Sequence, residues 1–252
     1  MGQHLYDAIG LDYANLRRPD PRIAAAIEDA LGDARSVVNV GAGAGSYEPA
    51  GRDVVAVEPS AAMIAQRAQE AARAVQGGAE DLPFADDSFD AAMAVLTVHH
   101  WSDQAKGMAE MRRVSRQSVV IVTFDPAARP WLTDYLPGLA DLDEAIMPPM
   151  EWYAQQLGAK EGALRIDPLP IPRDCTDGFL YAYWARPAAY LDPAIRRGSS
   201  SFWKLAETGD LEEGLAQLER DLADGTWDRR YGALLEHDTL DCGYRVVRFQ
   251  SD

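Results

Sequence analysis

The five residues Gly41-Ala42-Gly43-Ala44-Gly45 constrain this chain more than any other stretch. They follow the β-branched run Ser36-Val37-Val38-Asn39-Val40, so a strand ends in a backbone free to adopt conformations that other residues avoid. A turn of this kind, where a strand gives way to a helix, can approach a ligand closely. It also aims N–H groups at a carboxylate or phosphate. A bare turn is the alternative, but it leaves three glycines in five positions without a reason. The spacing Gly-x-Gly-x-Gly puts Ser46 at the sixth position, where the dinucleotide fingerprint has Gly or Ala.

Short strands and helices alternate around this turn, the pattern of a parallel sheet with helices on both faces. Asp20 is a candidate N-cap, Pro21 suits a first helical turn, Ile23, Ala26, Ile27 and Ala30 share a face, and Gly32 is the stop. Asp53–Val57 reads as a second strand, and the alanine-rich Ala61–Ala74 as a helix on propensity, with a weaker strand near Ala74–Gln76. Phe89–Thr97 has the continuous apolar character of a strand buried on both faces, Asp103–Val114 is amphipathic, and Ser118–Phe124 is another β-branched run. Past that point the composition shifts: 15 of the 22 aromatic residues lie beyond position 125. Ala163–Ile166 and Gly243–Phe249 read as an antiparallel pair closing the sheet. Between them, residues 170–238 carry prolines and few strong apolar periods, which suggests a helical lid or insertion rather than an independent domain.

Charge narrows the partners. With 24 basic and 40 acidic side chains the formal charge is −16, and no polybasic tract occurs. Binding a nucleic-acid backbone or an anionic membrane needs Lys and Arg, so a small neutral or cationic ligand is expected instead. Apolar stretches such as Ala91–Val98 fall far below the ~20 residues of a bilayer span, and the opening MGQHLYDAIG lacks a basic-then-apolar signal pattern. A cytoplasmic location is the expectation. Cys175 and Cys242 form no CxxC pair and have no His at ligand spacing, which argues against a disulfide scaffold and a metal site.

Glu58 closes the second strand 17 residues after Gly41, where open α/β sheets bind ligands and a carboxylate can accept from both hydroxyls of a ribose. Taken with Val37–Ser46, Val54–Ser60 with Met63, Gly78–Phe84, Asp87–Asp90, Leu96–Trp101 and Glu110–Val114, the chain resembles the class I S-adenosylmethionine-dependent methyltransferases. Within them it is most similar to the small-molecule group called methyltransferase type 11 or UbiE-like.

The resemblance implies a Rossmann-like α/β fold, a seven-stranded mainly parallel sheet with a terminal antiparallel strand, and S-adenosylmethionine lying across the strand ends. It implies that Gly41, Ala42, Gly43 and Gly45 hold the methionine moiety and that Glu58 holds the ribose. Pro59, Ser60 and Met63 would flank the adenine, with Ala79 donating to a ring nitrogen, Glu80 accepting from the exocyclic amine, and Thr97 nearby. Asn39 stands where many relatives carry Asp. Residues 1–19 look like a cap in which Tyr13 and Arg17 or Arg18, with Arg18 taken as the candidate, close on the methionine carboxylate; a surface arm is the alternative. Residues 20–125 then form the cofactor-binding core, 126–169 continue it, 170–238 are the lid, and 239–252 supply the terminal strand.

His99 and His100 follow the Phe89–Thr97 strand, where a neutral imidazole could take a proton from an attacking hydroxyl or amine. The plainer account has them bracing the loop. The aromatic residues Phe179, Tyr181, Tyr183, Trp184, Tyr190, Phe202, Trp203, Trp227 and Tyr231 either wall an acceptor pocket or form the core of the insertion. Asp177 reads as a helix N-cap, or with Asp174 as a group that meets a substrate amine. The expected activity is methyl transfer from S-adenosylmethionine to an O, N or C nucleophile on a small molecule, without metal, nucleic acid or membrane. The alternatives are a fold relative that binds the cofactor without methyl transfer and, more remotely, an NAD-dependent oxidoreductase.

Overall fold

The computed structural model describes residues 17–158, 160 and 162–251. Helix α1 (Pro21–Leu31) starts where Asp20 accepts the Arg22 N–H and ends at Gly32, whose N–H closes on the Glu28 and Asp29 carbonyls. Its buried residues Ile23, Ile27, Ala30 and Leu31 fall on one helical face. Next come β1 (Ser36–Val40), β2 (Asp53–Glu58), α2 (Ala61–Ala65), β3 (Arg73–Gln76), β4 (Phe89–Val95), α3 (Gln104–Val114) and β5 (Ser115–Phe124). The second half supplies α4 (Gly138–Ile146), α5 (Met150–Gln156), β6 (Leu164–Pro168) and β7 (Ile171–Pro172). It continues with α6 (Pro193–Arg196), α7 (Ser200–Ala206), α8 (Asp210–Ala223), α9 (Thr226–Tyr231), β8 (Thr239–Leu240) and β9 (Tyr244–Gln250).

Seven strands form one sheet in the order β3-β2-β1-β4-β5-β9-β6, and β7 pairs β8 in a separate small ribbon. Neighbours from β3 to β5 are parallel, while β9 runs antiparallel to both β5 and β6, so the expected mainly parallel sheet with its antiparallel strand is present. The strand order reverses at β1, between β2 and β4, and the carboxyl ends there open a crevice. Buried clusters cover both faces. One joins α1 and sheet residues such as Val37, Met93 and Val120 to Phe179, Tyr181, Trp184, Tyr190, Phe202 and Trp227 of the 170–238 stretch. The other packs Val38, Ala92 and Ile121 against Met108 and Met111 of α3 and Tyr153 of α5. The stretch 170–238 thus shares its apolar cluster with the sheet, and of its aromatic residues only Trp203 is strongly exposed, at 40%.

The helix expected over Ala61–Ala74 is much shorter. It stops at Ala65, because Arg73–Gln76 is drawn into the sheet beside Val55–Glu58 and the intervening chain must turn. Backbone pairing at the sheet edge overrides alanine propensity. Among the described residues no helix is long and apolar enough to cross a membrane, and Cys175 and Cys242 are buried free thiols.

Candidate active site

The glycine turn is fastened to the end of β2. The Gly41 and Ala42 N–H groups both donate to the Val57 carbonyl, at 2.8 and 3.1 Å. Gly41 has φ +72°, and a Cβ there would lie 2.1 Å from Thr97 Oγ1, so only glycine lets the ends of β1 and β4 approach this closely. Arg67, buried against Glu48, donates to the Gly43 carbonyl at 3.1 Å and the Ala72 carbonyl at 2.9 Å. This guanidinium holds the turn from behind and fixes the bend after α2.

Glu58 is 7% exposed, with Oε2 accepting from the Gly43 N–H at 2.8 Å and Oε1 from the Ser60 N–H at 2.9 Å. Burial raises its carboxyl above the usual range, opposed by those two N–H donors and by Arg67. Each oxygen keeps acceptor capacity, since a carboxylate offers about four lone-pair sites.

A cavity of about 490 Å³ opens at the crevice, within the roughly 300–1,000 Å³ usual for small-molecule sites. Of the residues expected at the site, Gly41, Ala42, Gly43, Glu58, Pro59, Met63, Ala79, Glu80, Thr97 and His100 line it. Gly45 does not: with φ +97° it turns the chain beside Ala71, Arg67 and Glu48. Arg18 is exposed and does not line the cavity, while its neighbour Arg17 does. Tyr13 lies outside the described residues. The sequence reading missed Tyr47, Leu96 and Trp101 as lining residues. Tyr47 and Leu96 have φ of +61° and +51°, conformations that neither residue type signals in a sequence.

At the far end Glu80 Oε1 accepts from the Ser102 N–H and hydroxyl, both at 2.7 Å, and from the Asp103 N–H at 3.1 Å. Burial works to raise this carboxyl, but the donors outweigh it and hold it below the ordinary glutamate value. Next to it the Trp101 indole N–H is buried and has no acceptor among the described residues. The Leu82–Phe84 loop is anchored by Glu110, which accepts the Leu82 N–H at 2.9 Å, and by Arg113, which donates to the Phe84 and Leu82 carbonyls. A glycine cradle, a buried carboxylate at the middle and an apolar end with an unused indole donor suit a nucleoside bearing an amino-acid tail. S-adenosylmethionine fits that description.

Beyond Leu96, His99 and His100 sit in a single helical turn, Val98–His100, with ring centroids 3.9 Å apart. Burial, helped by Lys204 and Arg17, lowers His100 to about 4 and His99 well below its usual value, so both imidazoles are neutral at pH 7. They differ in position. His100 lines the large cavity and also a second one of about 60 Å³, whereas His99 lines only the second. Arg17 and Leu96 likewise border both. The smaller chamber is walled by Phe124, Phe179, Tyr181 and Tyr244, with Asp143 and Ser199–Ser201 adding polar groups. Asp177 caps no helix; it is fully buried and binds Arg17 through both carboxylate oxygens, Tyr47 and the Gly178 N–H. Asp174 is exposed and pairs with Arg22.

Comparison with known proteins agrees with this geometry. A family profile described as "Methyltransferase domain" matches residues 38–123. A solved structure of a putative methyltransferase from an antibiotic biosynthesis pathway of Anabaena variabilis is 36% identical, with a TM-score of 0.84, covering 93% of this chain and 98% of that one. The uncharacterized methyltransferase YcgJ of Bacillus subtilis is 35% identical over 92 residues, which is 32% of this chain and 36% of that protein. The demethylmenaquinone methyltransferase of Renibacterium salmoninarum is 34% identical over 120 residues, 43% of this chain and 51% of that enzyme. The match thus spans between about a third and a half of the length of those two curated relatives. On the fold, the cradle and the near full-length likeness to the Anabaena protein, this chain belongs to the class I S-adenosylmethionine-dependent methyltransferases.

Proposed function

We propose that this chain transfers the methyl group of S-adenosylmethionine to a nucleophilic oxygen, nitrogen or carbon of a small molecule. The observation that carries the reading is the shared wall: Arg17, Leu96 and His100 border both the 490 Å³ cavity and the 60 Å³ chamber. Cofactor and acceptor head group would meet there. When bound, the cofactor supplies an electrophilic methyl on its sulfonium.

The chain's own residues would do the rest. The backbone of the glycine turn, whose Gly41, Ala42 and Gly43 N–H groups are already given to Val57 and Glu58, forms the wall against which the methionine end lies, with Arg17 taking the place expected of Arg18. Glu58 accepts the ribose hydroxyls with the lone pairs that Gly43 and Ser60 leave unused, and Pro59, Met63 and Ala79 hold the adenine. His100, neutral and facing both spaces, is positioned to accept the proton that a hydroxyl or amine loses as it attacks. His99 is its support. Residues 170–238 close over the chamber and keep water out, so that alignment rather than further activation does most of the work. The net charge of −16 favours a small acceptor over a nucleic acid.

The test is calorimetric titration with S-adenosylmethionine and S-adenosylhomocysteine, then an acceptor screen read by S-adenosylhomocysteine release. Tight adenosyl binding with no release for any acceptor class would leave a cofactor-binding relative without methyl transfer.

A further inference from the structure

Resting on the methyl-transfer reading, we propose that the smaller chamber binds the ammonium group of an amine-bearing acceptor, with Asp143 as its counter-ion. Asp143 is 3% exposed, and its Oδ2 accepts the Tyr181 hydroxyl at 2.8 Å. No Lys, Arg or His forms an ion pair with it among the described residues, and its second oxygen accepts no other hydrogen bond among them. A buried carboxylate with one neutral donor is expensive to maintain, and such groups are ordinarily paired. Burial accordingly raises its carboxyl to about 6, with the Tyr181 hydrogen bond and distant Arg129 opposing.

Among the described residues, the other titratable and charged groups facing this space are neutral or already engaged. Arg17 holds Asp177 at 2.6 and 3.2 Å, His99 and His100 are neutral, and Arg129 is bound to Glu144 and the Pro126 and Ala128 carbonyls. Lys204 acts on the two histidines but does not line the chamber. Among the described residues the chamber therefore carries one negative charge without a counter-ion, that of Asp143. Around it stand aromatic rings in mutual contact: Phe124 stacks on Tyr181 at 5.0 Å, and Tyr244 meets Phe124 edge-on at 5.3 Å and Phe179 at 4.7 Å. Ring faces beside a carboxylate attract a cation and offer nothing to an anion. A volume of about 60 Å³ admits a head group of a few heavy atoms, with the rest of the acceptor lying outside.

The experiment is a titration of the full chain, saturated with S-adenosylhomocysteine, with butylamine, 1-butanol and butanoate. Butylamine should bind at least tenfold more tightly than 1-butanol, and butanoate weakest. Asp143→Asn, which removes the buried charge and keeps an acceptor for Tyr181, should lose that preference while its S-adenosylhomocysteine affinity stays unchanged. Tyr181→Phe should keep the preference. Equal binding of amine and alcohol, no detectable amine binding, or an Asp143→Asn variant that binds butylamine as tightly as the parent would overturn the amine site and leave the cofactor reading standing. Failure of S-adenosylhomocysteine itself to bind would overturn both.

Discussion

Arg17 and Asp177, 160 residues apart, form a two-point ion pair in which Nε and Nη2 meet the two carboxylate oxygens at 2.6 and 3.2 Å. The Tyr47 hydroxyl donates to the same Asp177 at 2.8 Å, and itself accepts the Asp20 N–H at 3.2 Å. Three segments meet at one buried carboxylate: the lead into α1, the end of the glycine turn and the start of the 170–238 stretch. Arg17 also borders both cavities, so the pair fixes one wall that they share.

Removing one partner should therefore be severe. Arg17→Ala leaves Asp177 fully buried without its counter-charge, and thermal or denaturant melts should show a loss of about 3 kcal/mol or more. In a double-mutant cycle with Asp177→Ala the two losses should overlap by about 2 kcal/mol. Strict additivity would make the pair incidental.

The close packing of the turn gives a sharper test. Gly41→Ala places a methyl 2.1 Å from Thr97 Oγ1 at φ +72°, two penalties on one residue. The variant should lose more than about 2 kcal/mol of stability and most of its cofactor affinity. A second change, Thr97→Ala, removes Oγ1 and Cγ2 but leaves Cβ 2.9 Å away and the φ of +72° in place, so it should recover stability only in part and leave affinity low. An unperturbed Gly41→Ala protein would contradict the turn geometry.

The two histidines should separate in kinetics. His100→Ala is expected to lower turnover about 10²-fold or more with S-adenosylhomocysteine affinity nearly unchanged, while His99→Ala has a much smaller effect. Equal activity of both variants and the parent, on an acceptor found by screening, would return His100 to a bracing role.

Asp143 makes an unusual prediction about pH. Its folded carboxyl titrates at about 6 against 3.8 for the ordinary group, so the folded state holds the extra proton between those values. The stability this contributes is complete below about 3.8 and is lost as pH rises through 6. Asp143→Asn should then be more stable than the parent at pH 7, by up to about 3 kcal/mol, with the advantage vanishing toward pH 4. Denaturant melts at both pH values check this. A pH-independent difference would mean that the carboxylate is not buried unpaired.

Legibility followed locality. The Leu82–Phe84 loop with Glu110 and Arg113 was legible only through the family resemblance, since Glu110 and Arg113 reach it from within α3. The glycine turn and Glu58 stand at the ends of β1 and β2, and residue type and spacing carry their chemistry. The same holds for α1, whose cap, first-turn proline and terminal Gly32 sit in sequence order. What could not be read depends on distant partners. Arg17 rather than Arg18 faces the cavity because Asp177 is there to receive it. Helix α2 stops at Ala65 because β2 needs Arg73–Gln76 beside it. Tyr47 and Leu96 occupy the left-handed region without a glycine to announce it. The aromatics of 170–238 were ambiguous between pocket and core for a physical reason: Phe179 and Tyr181 serve as both, Trp203 is exposed, and the others pack in or against the core.

The most direct test of the account is calorimetry of the purified chain with S-adenosylmethionine, S-adenosylhomocysteine and NAD(H), repeated on Glu58→Ala. The account predicts micromolar binding of the two adenosyl ligands and none of NAD(H). Glu58→Ala should weaken the adenosyl ligands by about 1–3 kcal/mol, since it removes the acceptor shared by the ribose and the turn. Binding of NAD(H) alone, or adenosyl binding indifferent to Glu58 in a folded variant, would contradict it.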